Sequence, residues 1–117
     1  MNKLLLAFLM TVSFNANAIF NTGNDLLMAC DATSETDTNS ALNNVLCMGY
    51  IGGMIDAIQI IFGQYPEIRS FCLPTNGMSS NQQVMVVTKY LRENPNQLHE
   101  TARSSVFIAL AKDFPCE

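Results

Sequence analysis

The chain has 117 residues, 49% of them hydrophobic, with 6 basic against 10 acidic side chains and a formal net charge of −4. That length holds one domain. The acidic balance excludes the basic face by which proteins bind nucleic acid and the polybasic patch that holds them to anionic membranes.

Residues 1–18, MNKLLLAFLMTVSFNANA, have the order of a secretory signal peptide. Lys3 makes a positive start, Leu4 to Val12 an apolar run, and Ala16-Asn17-Ala18 a small-residue cleavage site. The run is shorter than the roughly 20 residues that span a bilayer. Cleavage after Ala18 is expected to leave a domain of residues 19–117, and loss of Lys3 takes the charge from −4 to −5. Export implies the periplasm or the outside of the cell, where disulfides persist, and the periplasm is expected. Cys30, Cys47, Cys72 and Cys116 all fall in the mature part, an even number that permits three pairings. No CxxC occurs, so neither a thioredoxin-like redox pair nor zinc-ribbon spacing is present. Two structural disulfides and no metal are expected.

The mature chain reads as helices. Thr22-Gly23-Asn24-Asp25 supplies cap residues before Leu26, Leu27 and Met28, which predicts a short helix running into Cys30. The polar stretch 31–44 predicts an exposed loop, with a second helix starting between Ser40 and Asn44 and reaching about Phe62. In that helix Cys47, Ile51, Ile55, Ile58 and Phe62 recur at helical spacing, with Leu46, Tyr50, Met54 and Ile61 on an adjoining face. So wide a belt predicts burial on most sides, inside the domain or against a second subunit. Gly49, Gly53 and Ala57, four residues apart, form a small-residue seam for close helix packing. Asp56 and the glycines speak against a membrane span, since a mid-membrane aspartate costs about 2.5–3.5 kcal/mol.

Gly63 to Pro66 ends the second helix, and residues 63–78 form a connection. Ser79 and Ser80, each followed three residues later by a glutamine, predict a capping box for a third helix whose inner stripe is Val84, Val87 and Leu91. Asn94-Pro95 stops it. Asn94 as cap and Pro95 as first residue predict a fourth helix, with Leu98, Ala102, Val106, Ala109 and Leu110 on its buried face. The expected fold is an all-α, compact four-helix domain stapled by two disulfides. Among the three pairings, Cys30–Cys47 and Cys72–Cys116 are the two local, uncrossed closures, contributing roughly 3 and 4 kcal/mol in the chain-entropy model.

Catalytic groups are sparse. Any Ser-His-Asp or Cys-His site would need His99, which is placed early on the predicted fourth helix, beside its stripe rather than on it. Asp56 has no second acid on its face, so a neighbouring polar group or helix terminus is expected to satisfy it. No GxSxG, HExxH, P-loop or GxGxxG occurs. The mature methionines (28, 48, 54, 78 and 85) read as core filling. A module of this kind works by binding. The rigidly held polar surface fitting that work is 63–83, with Gln64, Tyr65, Glu67, Arg69, Asn76, Ser79, Asn81 and Gln82 as candidate contacts.

Six segments in order carry a resemblance: GNDLLMAC (23–30), C-x-G-Y-I-G-G-x-x-D-A from Cys47 to Ala57, FCLP (71–74), QVMVVTKYL (83–91), NPNQLHETA (94–102) and ALAKDFPC (109–116). Together they resemble the immunity proteins of type VI secretion amidase effectors, the Rap/Tai family, from about Thr22 to Cys116. The resemblance implies a periplasmic helical homodimer that is no enzyme and needs no cofactor. Its partner would be a peptidoglycan amidase with a cysteine–histidine site, inhibited by blocking of its substrate groove. Rival readings from the residues are a periplasmic acid-stress chaperone and a carrier of a small hydrophobic ligand.

Overall fold

A computed structural model describes residues 19–31 and 38–117. The expected signal peptide, residues 1–18, and the centre of the polar loop lie outside the described residues. Four α-helices follow in order: α1 (Gly23–Cys30), α2 (Thr38–Gln64), α3 (Ser80–Glu93) and α4 (Ala102–Asp113). Among the described residues the sole β pairing is an isolated antiparallel bridge between Thr22 and Thr101.

α1 starts where its caps predict. The Asp25 N–H donates to Thr22 Oγ1 at 3.2 Å, and the Thr22 N–H donates back to the Asp25 carboxylate at 3.0 Å. The remaining free donors of this first turn find a second partner. Gly23 N–H donates to the Glu100 carbonyl at 2.8 Å and Asn24 N–H to that of Leu98 at 2.9 Å. A neighbouring loop thus caps α1, and Gly23 permits the approach: a Cβ there would lie 2.9 Å from both Leu91 Cδ2 and Ser105 Oγ.

This docking corrects the predicted start of the fourth helix. Pro95–Gln97 is a separate 3₁₀ turn, and α4 begins only at Ala102, with the Thr101 hydroxyl accepting from Ser104 N–H at 3.3 Å. The carbonyls of Leu98 and Glu100 face α1, so this stretch cannot continue a helix. Asn94 instead closes α3, its side-chain amide donating to the Tyr90 carbonyl at 2.8 Å. His99 consequently sits in an exposed turn, 3.3 Å from the Glu100 carboxylate, rather than on a helix.

α2 also departs from expectation. It starts at Thr38, two residues ahead of the predicted window, and runs to Gln64. Cys47, Ile51, Ile55 and Phe62 are buried, but the opposite side is open: Val45 is 65% and Ile60 74% exposed. Among the described residues, therefore, α2 is covered along one side only, which leaves open the expected alternative of cover by a second subunit. The core gathers against that side, with Leu26 from α1, Val87 and Leu91 from α3, and Val106 and Leu110 from α4 all essentially inaccessible. Buried Thr88 and Ser105 donate to carbonyls of their own helices, at 2.9 Å to Val84 and 3.2 Å to Thr101, so neither leaves a polar group unmatched.

Both expected disulfides are present. Cys30–Cys47 joins the end of α1 to α2, and Cys72–Cys116 joins the α2–α3 connection to the C-terminal tail. An ion pair between Arg92 of α3 and Asp31, which follows α1, adds to the first closure.

Candidate partner-binding surface

The connection between α2 and α3 is built from successive anchors. Tyr65 N–H donates to the Ile61 carbonyl at 2.8 Å, completing α2, and Pro66–Ile68 turns once as a 3₁₀ helix. Phe71 then enters the core, 1% exposed, with its ring edge-on to Phe62 at 5.1 Å and Phe107 at 5.4 Å. Next to it, Cys72 N–H donates to the Phe114 carbonyl at 2.8 Å while its sulfur bonds Cys116. A tight turn follows, closed by Gly77 N–H donating to the Pro74 carbonyl at 2.9 Å. Gly77 has φ +77°, a conformation that favours glycine. The Ser79 hydroxyl accepts from Gln82 N–H at 3.2 Å and starts α3. The glutamine half of the expected box is different: the Gln83 amide donates to the Met78 carbonyl at 3.5 Å.

The predicted contact residues Gln64, Tyr65, Glu67, Arg69, Asn76, Ser79, Asn81 and Gln82 are all exposed along this path. They fall into two groups. Gln64 to Arg69 surround the end of α2, and Ser79 to Gln82 the start of α3, with Asn76 in the turn between. The α3 start lies beside the middle of α2, since the Gln83 side chain is 3.5 Å from where a Gly52 Cβ would stand. At 1.5 Å per residue, the end of α2 is about 18 Å further along. The surface is an elongated strip rather than a single spot.

Sequence reading missed two apolar members of that region, Ile68 (53% exposed) and Met85 (69%). Met85 is legible in retrospect because it falls off the Val84–Val87–Leu91 stripe; Ile68 stands in a stretch with no periodicity. The methionines divide in the same way. Met54 and Met78 pack against the core, but Met28, Met48 and Met85 are exposed and fill no gap.

Gly49, Gly53 and Ala57 are also exposed, and a Cβ on either glycine would meet nothing within 4 Å. Among the described residues no helix uses the seam. Asp56 lies on this open side in solvent, with no need of the polar partner expected for it. At the edge facing α4 the side continues into an open groove of about 580 Å³, lined by Met54, Ile58, Ile61, Arg103, Ser104, Phe107 and Ile108. Tyr50, edge-on to Phe20 at 5.3 Å, has its phenol pushed above the ordinary value by burial, with Arg103 pulling the other way.

The family model of the Rap1a immunity proteins matches residues 22–116. The chain belongs to this family. The match takes in all four helices, both disulfides and the entire α2–α3 connection. As a Rap1a immunity protein it is an effector immunity protein, whose work is to bind a cognate toxin. A search of curated proteins finds no match.

Proposed function

We propose that this Rap1a immunity protein is exported to the periplasm and there inhibits a peptidoglycan amidase delivered by a type VI secretion system. On this reading the mature protein is no enzyme. It docks on the toxin and covers the groove around its cysteine–histidine site, so that the stem peptide of peptidoglycan cannot enter. The observation carrying the reading is the anchoring of the connection 65–79. Buried Phe71, the Cys72 disulfide, the Gly77 turn and the Ser79 cap hold it at four points while its polar side chains face outward. A segment already ordered avoids the entropy cost that a floppy one meets on binding.

The resemblance also implies a homodimer, and the open side of α2 suits a second copy. Its midpoint is small (Gly49, Gly53), and its two ends are large and apolar (Val45 and Ile60). An antiparallel pair of these helices would set small against small and large against large, as a self-complementary two-fold interface requires, and Asp56, on the same side, would then need a polar partner across it. The strip from Gln64 to Gln82 runs along the end of α2 and the start of α3.

Two surface variants test the placement of the toxin contact. Reversing charge at Glu67 and Arg69 together, and separately introducing Asn81→Trp, is expected to weaken the amidase complex at least tenfold, or about 1.4 kcal/mol, with helical content unchanged. Undiminished affinity in both would show that the toxin binds elsewhere.

A further inference from the structure

The two disulfides differ in access. In Cys30–Cys47 one partner is wholly buried, Cys47 at 0% exposure, and Cys30 is half-buried. In Cys72–Cys116 both cysteines are exposed. Thiol–disulfide exchange needs an attacking thiolate to reach a sulfur, so access separates the two bonds. They also differ in what they hold. Cys30–Cys47 ties two helices, whereas Cys72–Cys116 clasps the α2–α3 connection to the tail.

We propose that Cys72–Cys116 is a redox-modification site, reduced selectively by an external dithiol, and that its opening loosens residues 72–79 at the centre of the toxin-facing strip while the helices stay folded. A thiolate of the dithiol attacks one sulfur of the pair, and the other leaves as a thiolate that takes up a proton. The second thiol of the reductant then displaces the first cysteine from the mixed disulfide. The protein gains two electrons and two protons, and the dithiol becomes a disulfide. The helical core survives because its contacts do not pass through this bond. Phe71 remains between Phe62 and Phe107, and Cys30–Cys47 still joins α1 to α2. What is released is the stretch after Phe71 up to the Ser79 cap, together with the tail beyond Phe114.

The effect on binding rests on the reading of 64–82 as the toxin-facing surface; the selectivity of reduction does not. The mature protein is treated with limiting dithiothreitol under native conditions, trapped with iodoacetamide and mapped by peptide mass, with circular dichroism and amidase binding measured on the same samples. Cys72 and Cys116 are expected to be labelled at least about tenfold faster than Cys30 and Cys47, with helical signal retained. Amidase affinity should fall about tenfold or more, because the loosened residues must be ordered anew on binding. A double variant, Cys72→Ser with Cys116→Ser, should reproduce the folded, weakly binding state without reductant. Simultaneous labelling of all four cysteines, loss of helix on opening, or full affinity in the reduced protein would each overturn the proposal. Oxidised protein that fails to bind any amidase would instead refute the functional reading, while the mapping would still decide the selectivity.

Discussion

Gly23 and Asp25 show how much rests on single positions at the start of α1. Gly23 is the meeting point of three elements, with its own N–H on the Glu100 carbonyl and no room for a Cβ beside Leu91 and Ser105. Gly23→Ala is therefore expected to destabilise the fold by about 1–3 kcal/mol through overpacking, read as a lower urea midpoint. Asp25 is held below its ordinary value of 3.8, first by the Thr22 backbone N–H and then by the Thr22 hydroxyl. Its folded pKa is depressed, so its contribution is complete above 3.8 and is lost as pH falls through the lower folded value. Asp25→Asn should flatten the pH dependence of stability in that acid window. An unchanged slope in urea titrations across it would contradict the assignment.

At the scale of elements, caps were legible and competition between caps was not. Thr22 and Ser79 mark α1 and α3 because each is followed by residues free to turn into a helix. Asn94-Pro95 carries the same local signal, yet the backbone after it is drawn to α1, and Thr101 starts α4 instead. Nothing near Pro95 in sequence records that α1 lacks donors' partners, so the error follows from a long-range hydrogen bond. The breadth of the α2 belt left two sources of cover open, this chain or a second subunit, for a related reason. Apolar periodicity shows which residues avoid water somewhere, not whether the cover comes from the same chain. If a second copy provides it, Gly53→Glu should convert a dimer to a monomer in analytical ultracentrifugation. The monomer itself should be no less stable than before, because the added Cβ meets no other element among the described residues within 4 Å and glycine is the poorer helix former. A monomeric parent, or a variant that stays dimeric, would place self-association elsewhere or nowhere.

For the whole molecule, the cysteines linked sequence to architecture most directly. Their even number and the local closures predicted the two bonds that join α1 to α2 and the connection to the tail. The candidate surface was half legible. Its polar residues were recognisable as a Pro-, Asn- and Gly-containing connection between helices, but its extent was hidden. It follows from where α3 crosses α2 at Gly52, a contact with no local signature. Ile68 and Met85 add apolar area to the strip of the kind that anchors protein interfaces. A toxin docking there would meet a preordered polar path with apolar points, tied to the core of the domain by Phe71.

The central claim is inhibition of a peptidoglycan amidase, and it is tested most directly by titrating oxidised protein 19–117 into the cognate amidase while following cleavage of purified peptidoglycan. Cleavage should fall linearly to background as the immunity protein reaches equivalence with the toxin. Cleavage at the full rate in molar excess, with no complex on a sizing column, would contradict the account.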